Sequence, residues 1–152
     1  MKNSQKNIPD RPYLSYEHQT HDNIVKTARY LNDQLTNQLK QFDLDLPLFN
    51  ILRIIHEKTD RAINIKEIQT SMVYKMANTS RLIRVLEDRQ LIERMPSEED
   101  KRVVNVLLTD KGSFVMDELT DLTTRFYTEE FSRFTKEEMD SLNEILWKLR
   151  NQ

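Results

Sequence analysis

Apolar residues recur at helical spacing near both ends of the chain. The first stripe begins after about residue 15 and consists of Ile24, Ala28, Leu31, Leu35 and Leu39. This spacing is that of one face of an α-helix. A helix of about 26 residues is about 39 Å long, which is more than one small domain needs. The stripe therefore favours packing against a partner.

Three more helix starts carry capping residues. Asp45 precedes Pro47 and an apolar run that ends near residue 57, which predicts a largely buried helix. Thr109 can cap the next terminal helix, although Gly112 falls in its first turn, where glycine costs some stability. Thr135 caps the final helix. The apolar stripe of that helix is Met139, Leu142, Ile145, Leu146 and Leu149.

The middle of the chain predicts two short helices. Asn64 and Glu67 form a capping box for a helix that extends to about Met72, and a polar turn follows at 74–77. A second helix then separates apolar from polar residues. Its inner side carries Leu82, Ile83, Val85 and Leu86, and its outer side carries Asn78, Thr79, Ser80, Arg81 and Arg84.

Two strands follow these helices. Residues 91–95, ended by Pro96, and residues 103–108 have strand composition, and a charged loop, PSEEDKR, joins them. Residues 62–63 are predicted to add a third, very short strand. Helix, turn, helix and hairpin are the layout of a winged helix. The second helix of such a unit can lie in the DNA major groove, while the hairpin reaches an adjacent minor groove.

The same stretch carries motifs that stand in a familiar order. They are Ser80-Arg81-Leu82, Leu86-Glu87, Leu91-Ile92-Glu93-Arg94, Asp100-Lys101-Arg102 and Leu108-Thr109-Asp110-Lys111-Gly112. In these motifs, and in its flanking helices, the chain resembles the MarR family of bacterial transcription regulators over nearly its whole length. One departure is Gln90, where the family usually has glycine. Because glutamine adopts a left-handed helix cap poorly, a looser helix end is expected there.

The resemblance implies a DNA-binding surface on the second helix and the wing. The implied DNA contacts are Lys75, Asn78, Thr79, Ser80, Arg81, Arg84, Asp100, Lys101 and Arg102. In the family's D-x-R motif the aspartate orients the wing and the arginine reaches the minor groove, which here are Asp100 and Arg102. Arg and Asn side chains suit base edges and phosphates. Solvated helix charges, capping residues and a surface ion pair are the structural alternatives.

Charge distribution favours this surface even though the net charge is −2. Residues 64–84 hold four basic residues against one acidic residue, a net charge of +3, whereas residues 110–152 hold six against ten, a net charge of −4. For nucleic-acid binding the distribution matters more than the sum. Positive charge thus gathers where the DNA-binding surface is expected.

Composition excludes several other functions. The 152 residues include no cysteine and one glycine, which excludes disulfides, cysteine-ligated zinc, a P-loop and a dinucleotide fingerprint. No catalytic residues and no cofactor are predicted. The chain has no run of about 18 apolar residues and no signal-peptide pattern at its start, so a cytoplasmic protein is expected.

The predicted fold class is mainly α with a small β wing. Residues 1–14 are expected to form a disordered or extended tail. Residues 15–44 and 109–152 are expected to form a helical dimerisation region, and residues 45–108 a winged helix-turn-helix DNA-binding lobe. The terminal regions are amphipathic, so we expect them to pack across a two-fold axis in a homodimer, as the resemblance also implies. Completion of a monomeric core is the alternative.

Two further residue sets are candidates for ligand binding. Tyr16, Tyr30 and Phe49 lie near the expected junction of the long helix with the lobe. The resemblance implies a small aromatic effector there, and core packing is the alternative. His18 and His21 are spaced to share a metal ion, but the sequence supplies no clear third ligand. No metal site is therefore predicted.

The expected function is that of a DNA-binding transcription regulator, a repressor rather than an activator on the resemblance. It would bind double-stranded DNA at a pseudo-palindromic operator as a homodimer, and a small-molecule effector could release it. One alternative is a winged-helix protein-interaction module without DNA binding, against which the basic second helix speaks. Another is a metal-dependent regulator that uses His18 and His21.

Overall fold

The computed structural model describes residues 15–58, 62–72, 78–97 and 101–151. The helices are α1 (Tyr16–Leu39), α2 (Leu46–His56), α3 (Ile65–Ser71), α4 (Thr79–Asp88), α5 (Asp110–Phe131) and α6 (Lys136–Arg150). A 3₁₀ turn, Lys40–Phe42, follows α1, and the strands are β1 (Ile63–Asn64), β2 (Ile92–Pro96) and β3 (Val104–Leu108). The mainly α class with a small β wing is confirmed. The predicted tail at 1–14 and turn at 74–77 lie outside the described residues.

Local capping residues determine where the helices begin. Asp45 accepts a hydrogen bond from the backbone N–H of Leu48 at 2.9 Å, at the start of α2. Both predicted capping boxes, Asn64–Glu67 before α3 and Thr135–Glu138 before α6, are formed with reciprocal hydrogen bonds. Each cap satisfies N–H groups that the first helical turn leaves unpaired. The sequence therefore determines these helix starts locally.

The three strands form one antiparallel sheet in the order β1-β3-β2. Ile63 lies opposite Val106, which confirms the predicted third strand one residue later in the chain than expected. Pro96 ends β2, an edge strand, where a residue without an N–H is tolerated. The sheet thus supplies the wing and a short strand that joins it to α3.

One hydrophobic core joins the lobe to the helices on either side of it. Side chains with no exposed surface are Leu39, Ile51, Leu52, Ile68, Ile83, Leu86, Val106 and Leu119. They come from α1 to α5 and from β3, so the end of α1 and the middle of α5 share the core of the lobe. The predicted boundaries near residues 44 and 108 therefore do not divide the hydrophobic core. The assignment of a dimerisation region and a DNA-binding lobe on either side of them stays a prediction.

The two ends of the described chain contribute little to this core. Over its described length α6 has no buried residue, and its apolar residues Leu142, Ile145, Trp147 and Leu149 are 47–63% exposed. In α1 only Leu35 and Leu39, in the last two turns, are buried. Within the described ranges no helix is long and apolar enough to span a membrane.

The end of α4 is closed despite the glutamine at its cap. Gln90 has φ 60°, in the left-handed region, and its N–H donates to the Glu87 carbonyl at 2.8 Å. The N–H of Leu91 donates to the Leu86 carbonyl at 3.0 Å, and the two bonds together make a Schellman motif. The looser end expected from Gln90 is not observed.

Gly112 is a steric requirement and not only a cost in helix stability. Thr109 caps α5 as predicted, because its Oγ1 accepts from the Gly112 N–H at 3.0 Å. A Cβ at position 112 would lie 1.9 Å from the Leu91 carbonyl oxygen. Only glycine therefore lets the first turn of α5 approach the end of α4 this closely.

Candidate nucleic-acid interface

Helix α4 has one wholly buried side and one cationic exposed side. Ile83 and Leu86 have no exposed surface and fix the helix against the core. Ser80, Arg81 and Arg84 are exposed, and the two arginines, three residues apart, are neighbours on the helix surface. The first turn of α4 contains no acidic residue. The outer face can therefore present two guanidinium groups to an anionic surface.

The start of α4 corrects one predicted contact. Asn78 is exposed, and its backbone carbonyl accepts hydrogen bonds from the N–H groups of Arg81 (3.0 Å) and Leu82 (3.1 Å). Its side chain makes no capping hydrogen bond. Thr79 is 1% exposed, and its hydroxyl lies 3.9 Å from the sulfur of Met72. A buried side chain cannot contact DNA, so Thr79 is removed from the predicted interface.

Helical phase explains the position of Thr79. Ile83 and Leu86 follow it by four and seven residues, a spacing that places all three on one side of the helix. The sequence contained this signal. The polar neighbours of Thr79 suggested an outward residue, and the phase of the helix is the better guide.

The wing carries two of the predicted basic contacts on its surface. Lys101 and Arg102 are exposed and lie just before β3, and the N–H of Ser97 donates to the Val103 carbonyl at 2.9 Å, which extends the hairpin beyond β2 and β3. Predicted contacts Lys75 and Asp100 lie outside the described residues. The proposed pairing of Asp100 with Arg102 therefore stays a prediction.

A cleft at the base of the wing adds a basic residue that the sequence did not single out. It has a volume of about 350 Å³ and lies between the start of α3 and β3. Its lining includes Lys66, Arg102 and Val104. Lys66 is exposed, so two cations flank this cleft. Only the fold reveals this pairing, because 36 positions separate the two residues in the chain.

An ion pair connects α4 to the wing. The guanidinium of Arg94, on β2, contacts the carboxylate of Glu87, on α4. The hydrogen bond from Arg94 holds the pKa of Glu87 below its ordinary value, and the nearby charge of Arg84 acts in the same direction. In return the Glu87 carboxylate raises the pKa of Arg94. The pair neutralises an acidic residue beside the cationic face of α4.

A crevice between α1, α2 and α5 is the candidate effector site. Its volume is about 360 Å³. Its lining residues are Asn32, Leu35, Leu46, Phe49, Asn50, Arg53, Thr123 and Tyr127. Phe49 is thus placed at the crevice as expected, and it is 5% exposed. Tyr127 and Arg53, which the sequence did not indicate, stand beside it.

The other two predicted effector residues are not among the described residues that line this crevice. Tyr16 is 86% exposed at the start of α1. The hydroxyl of Tyr30 lies 3.2 Å from the carboxylate of Glu130 on α5. The structure therefore does not bring Tyr16 and Tyr30 together with Phe49, because α1 turns its Leu35 side, and not its Tyr30 side, towards α2.

The histidines near the start of α1 lie beside one carboxylate. His18 Nε2 and His21 Nδ1 are 4.0 Å and 3.7 Å from Asp22 Oδ1. Lys26 donates to Asp22 at 3.0 Å, and this hydrogen bond lowers the pKa of Asp22. Across the described part of the chain, no group of three or more His, Cys, Asp or Glu residues could hold a metal ion. The metal-dependent alternative thus has no ligand set there.

A helix with a buried apolar side, a cationic outer side and a basic hairpin tied to it is the arrangement of winged helix-turn-helix proteins that bind DNA. Comparison with known proteins shows which family this part of the chain resembles. Residues 44–104 match the family model described as MarR family.

Two relatives match most of the chain. The chain is 28% identical over 108 residues to the HTH-type transcriptional repressor IacR of Pseudomonas putida. This match covers 71% of this chain and 64% of IacR. The match therefore spans slightly less than two thirds of the length of IacR. The chain is also 28% identical over 127 residues to the HTH-type transcriptional regulator MgrA of Staphylococcus aureus, which covers 83% of this chain and 84% of MgrA.

Solved structures share the fold. The organohalide-sensing transcriptional regulator RdhR in its 2,4-dichlorophenol-bound form has a TM-score of 0.82 at 21% identity, over 99% of this chain and 89% of that one. A mutant of E. coli MarR complexed with operator DNA has a TM-score of 0.77 at 22% identity, over 86% and 93%. Over residues 44–104 the chain is thus similar to MarR-family transcription regulators, and it shares the fold of their solved structures.

Proposed function

We propose that two copies of this chain bind a pseudo-palindromic operator together. One α4 enters the major groove of each half-site, and the half-sites lie about one helical turn, or about 34 Å, apart. The observation that carries this proposal is the outer face of α4, where Arg81 and Arg84 are exposed while Ile83 and Leu86 hold the helix rigidly from behind. An arginine presented in this way can form two hydrogen bonds with one guanine.

The dimer is proposed from the apolar surface near the chain ends. Leu142, Ile145 and Leu149 are each about half exposed or more on α6, although they repeat at helical spacing. The first turns of α1 likewise have no buried residue. A continuous apolar helix face of this kind normally has a protein partner. A second copy supplies one and also yields the two-fold symmetry that a palindrome requires.

The wing is proposed to bind the minor groove beside each half-site. Arg102 is the residue that reaches into the groove, and Lys101 and Lys66 contact phosphates on either side of it. Narrow A·T-rich minor grooves attract arginine because their negative potential is enhanced. Arg102→Ala should therefore weaken binding most for operators with A·T-rich flanks. A loss that is equal for all flanks would instead indicate a phosphate contact.

Selection of bound sequences from a random duplex pool tests the main proposal. Purified protein at moderate salt should recover a two-fold symmetric motif. Binding to that motif should weaken as salt rises, with a log–log slope of about −0.9 for each phosphate contact. Arg84→Ala should weaken binding to the motif, whereas Arg125→Ala, an exposed arginine on α5, should leave it unchanged.

The alternative function, a protein-interaction module, predicts a different result from the same experiment. A folded dimer that recovers no motif and shows no salt-dependent DNA affinity would favour it. The exposed arginines of α4 and the basic residues beside the wing are the observations that weigh against it. The proposed activity is binding and not catalysis, and it acts in the cytoplasm, where a bacterial chromosome lies.

Regulation is proposed to work through the crevice between α1, α2 and α5. Phe49 and Tyr127 supply aromatic walls, and Arg53 and Asn50 supply hydrogen-bond donors, which suits a small aromatic compound with one polar group. The related regulator RdhR is seen with 2,4-dichlorophenol. A ligand here would shift the population of dimers between spacings that fit and do not fit the operator.

A titration with 2,4-dichlorophenol as the probe tests this regulation. The compound should release operator DNA from the wild-type protein, and Tyr127→Ala should raise the concentration required. Tyr16→Ala is the control, because Tyr16 is 86% exposed and does not line the crevice. An equal response of the two variants would contradict the proposed site. For a repressor, release from the operator upon ligand binding would restore transcription, and the relative IacR is named a repressor.

A further inference from the structure

The turn that ends α4 is attached to the first turn of α5 through three successive carbonyl groups. The Arg89 carbonyl accepts from Lys111 Nζ at 2.8 Å. The Gln90 carbonyl accepts from Thr109 Oγ1 at 2.7 Å, and the Leu91 carbonyl accepts from the Thr109 N–H at 3.1 Å. Three hydrogen bonds therefore join this turn to the start of α5, in addition to the packing between α4 and α5.

The same turn also contacts the corner that follows α1. The guanidinium Nη1 of Arg89 donates to the carbonyl of Asp43. Asp43 adopts a left-handed conformation with φ 55°, and the N–H of Leu44 closes the corner by donating to the Leu39 carbonyl at 3.3 Å. Arg89 thus connects the end of α4 to α1 through its side chain, and to α5 through its carbonyl.

We infer that Arg89 and Lys111 are positioning residues that set the direction of α4 relative to α1 and α5, and so select the operator half-site spacing. The inference rests on the proposed dimer, in which α1 and α5 belong to the helices that approach the partner. Hydrogen bonds from charged donors are stronger than neutral ones. Both donors act at the C-terminal end of α4, far from the exposed residues at its start.

The length of α4 shows why this end matters. Ten residues make a helix about 15 Å long. A tilt of about 10° at the Arg89 end would therefore move the other end, beside Arg81, by about 2.6 Å. One base-pair step along DNA is about 3.4 Å. Loss of the two donors should thus let each α4 fit half-sites that are one base pair nearer or farther.

The experiment measures binding to three duplexes. Each carries the two half-sites recovered with wild-type protein, either at the selected spacing or one base pair shorter or longer. The wild-type protein should prefer the selected spacing. Arg89→Ala and Lys111→Met should each reduce that preference by about threefold to tenfold, the effect expected for one lost hydrogen bond. Arg89→Lys and Lys111→Arg, which keep a cationic donor, should restore part of it.

Lys136→Met is the matched control, because Lys136 is an exposed lysine in the first turn of α6. The substitution removes one positive charge, as Lys111→Met does. It should keep the full spacing preference. Lys111 is exposed, so Lys111→Met keeps the test decisive even where Arg89→Ala does not fold.

Two outcomes overturn the inference alone. Variants that weaken binding to all three duplexes by the same factor would show that these residues contact phosphates or stabilise the fold without setting spacing. Variants with unchanged preference would show that the attachment has no role in recognition. A wild-type protein that recovers no symmetric motif would instead overturn the proposed function, and the inference with it.

Discussion

Helices α4 and α6 are both amphipathic, but only α4 has its apolar side buried within the described chain. The apolar side of α4 is buried against the core, and its exposed side carries Arg81 and Arg84. Over its described length α6 buries nothing, and Ile145 on its apolar side is 63% exposed. Because the apolar side of α4 is buried within one copy, the surface that α4 exposes is charged and suits a polyanion. Because the apolar side of α6 is not buried, α6 exposes an apolar surface that suits another protein.

This difference in burial indicates what kind of partner each helix surface suits, which the hydrophobic pattern alone does not. A cationic face on a rigid helix gains binding energy from phosphates and base edges, and that energy falls as salt rises. An apolar face gains energy from removal of its surface from water, which salt does not screen. The two surfaces should therefore differ in their response to salt, with DNA binding lost at salt concentrations that leave the dimer intact.

The largest expected effect comes from placing a charge on the apolar face of α6. Ile145→Glu should dissociate the dimer, because burial of an isoleucine contributes about 1.5 to 3 kcal/mol and two copies are affected, or about 3 to 6 kcal/mol per dimer. Sedimentation velocity across a concentration series measures the change. Asn143→Glu, on a different side of α6, adds the same charge and should leave the dimer intact. Equal dissociation by both variants would contradict the assignment of this face.

The second-largest effect concerns Gly112, where the first turn of α5 approaches the end of α4. Gly112→Ala places a methyl group 1.9 Å from the Leu91 carbonyl oxygen, so α4 and α5 must separate. At an ordinary helix position the same change would gain about 1 kcal/mol. Here it should cost about 3 kcal/mol of unfolding free energy, measured by urea unfolding. Ser113→Ala, next to it and exposed, should change stability little, and a stabilised Gly112→Ala would show that the approach is not tight.

Sequence alone predicted the elements well because their signals are local. The capping boxes at Asn64 and Thr135 and the N-cap at Asp45 all form as expected. Each depends on residues within three positions of one another, and tertiary packing did not override them. The same holds for the strands of the wing, whose residue composition and closing Pro96 are short-range signals.

The sequence was less informative about features that depend on distant residues. Gly112 was expected to weaken α5, and only its approach to Leu91 shows why glycine is needed. Tyr30 was expected at the effector crevice, but Tyr127, 97 positions later in the chain, lies there. No local pattern encodes which helix faces meet. Thr79 differs, because its spacing from Ile83 already indicated an inward side chain.

The third effect tests the cationic face of α4. Arg84→Ala should weaken binding to the selected operator by about 1 to 3 kcal/mol and relax the preference at one base position, if Arg84 reads a base edge. Competition binding against single-base operator variants measures both quantities. Oligomeric state should not change, in contrast to Ile145→Glu. A uniform loss of affinity with unchanged base preference would assign Arg84 to a phosphate instead.

The smallest effect concerns the ion pair that ties α4 to the wing. Because Arg94 holds the pKa of Glu87 below its ordinary value of 4.5, the folded protein favours the charged carboxylate. Its contribution to stability is therefore present above about pH 4.5 and is lost as the pH falls through the lowered pKa of the folded state. Glu87→Gln removes the charge while keeping the size of the side chain, so it should lower the urea midpoint by more at pH 7 than at pH 3. Glu93→Gln, on the exposed side of β2, is the control and should not reproduce this convergence. A gap between wild type and Glu87→Gln that is the same at both pH values would mean that the pair does not help to hold α4 against the wing.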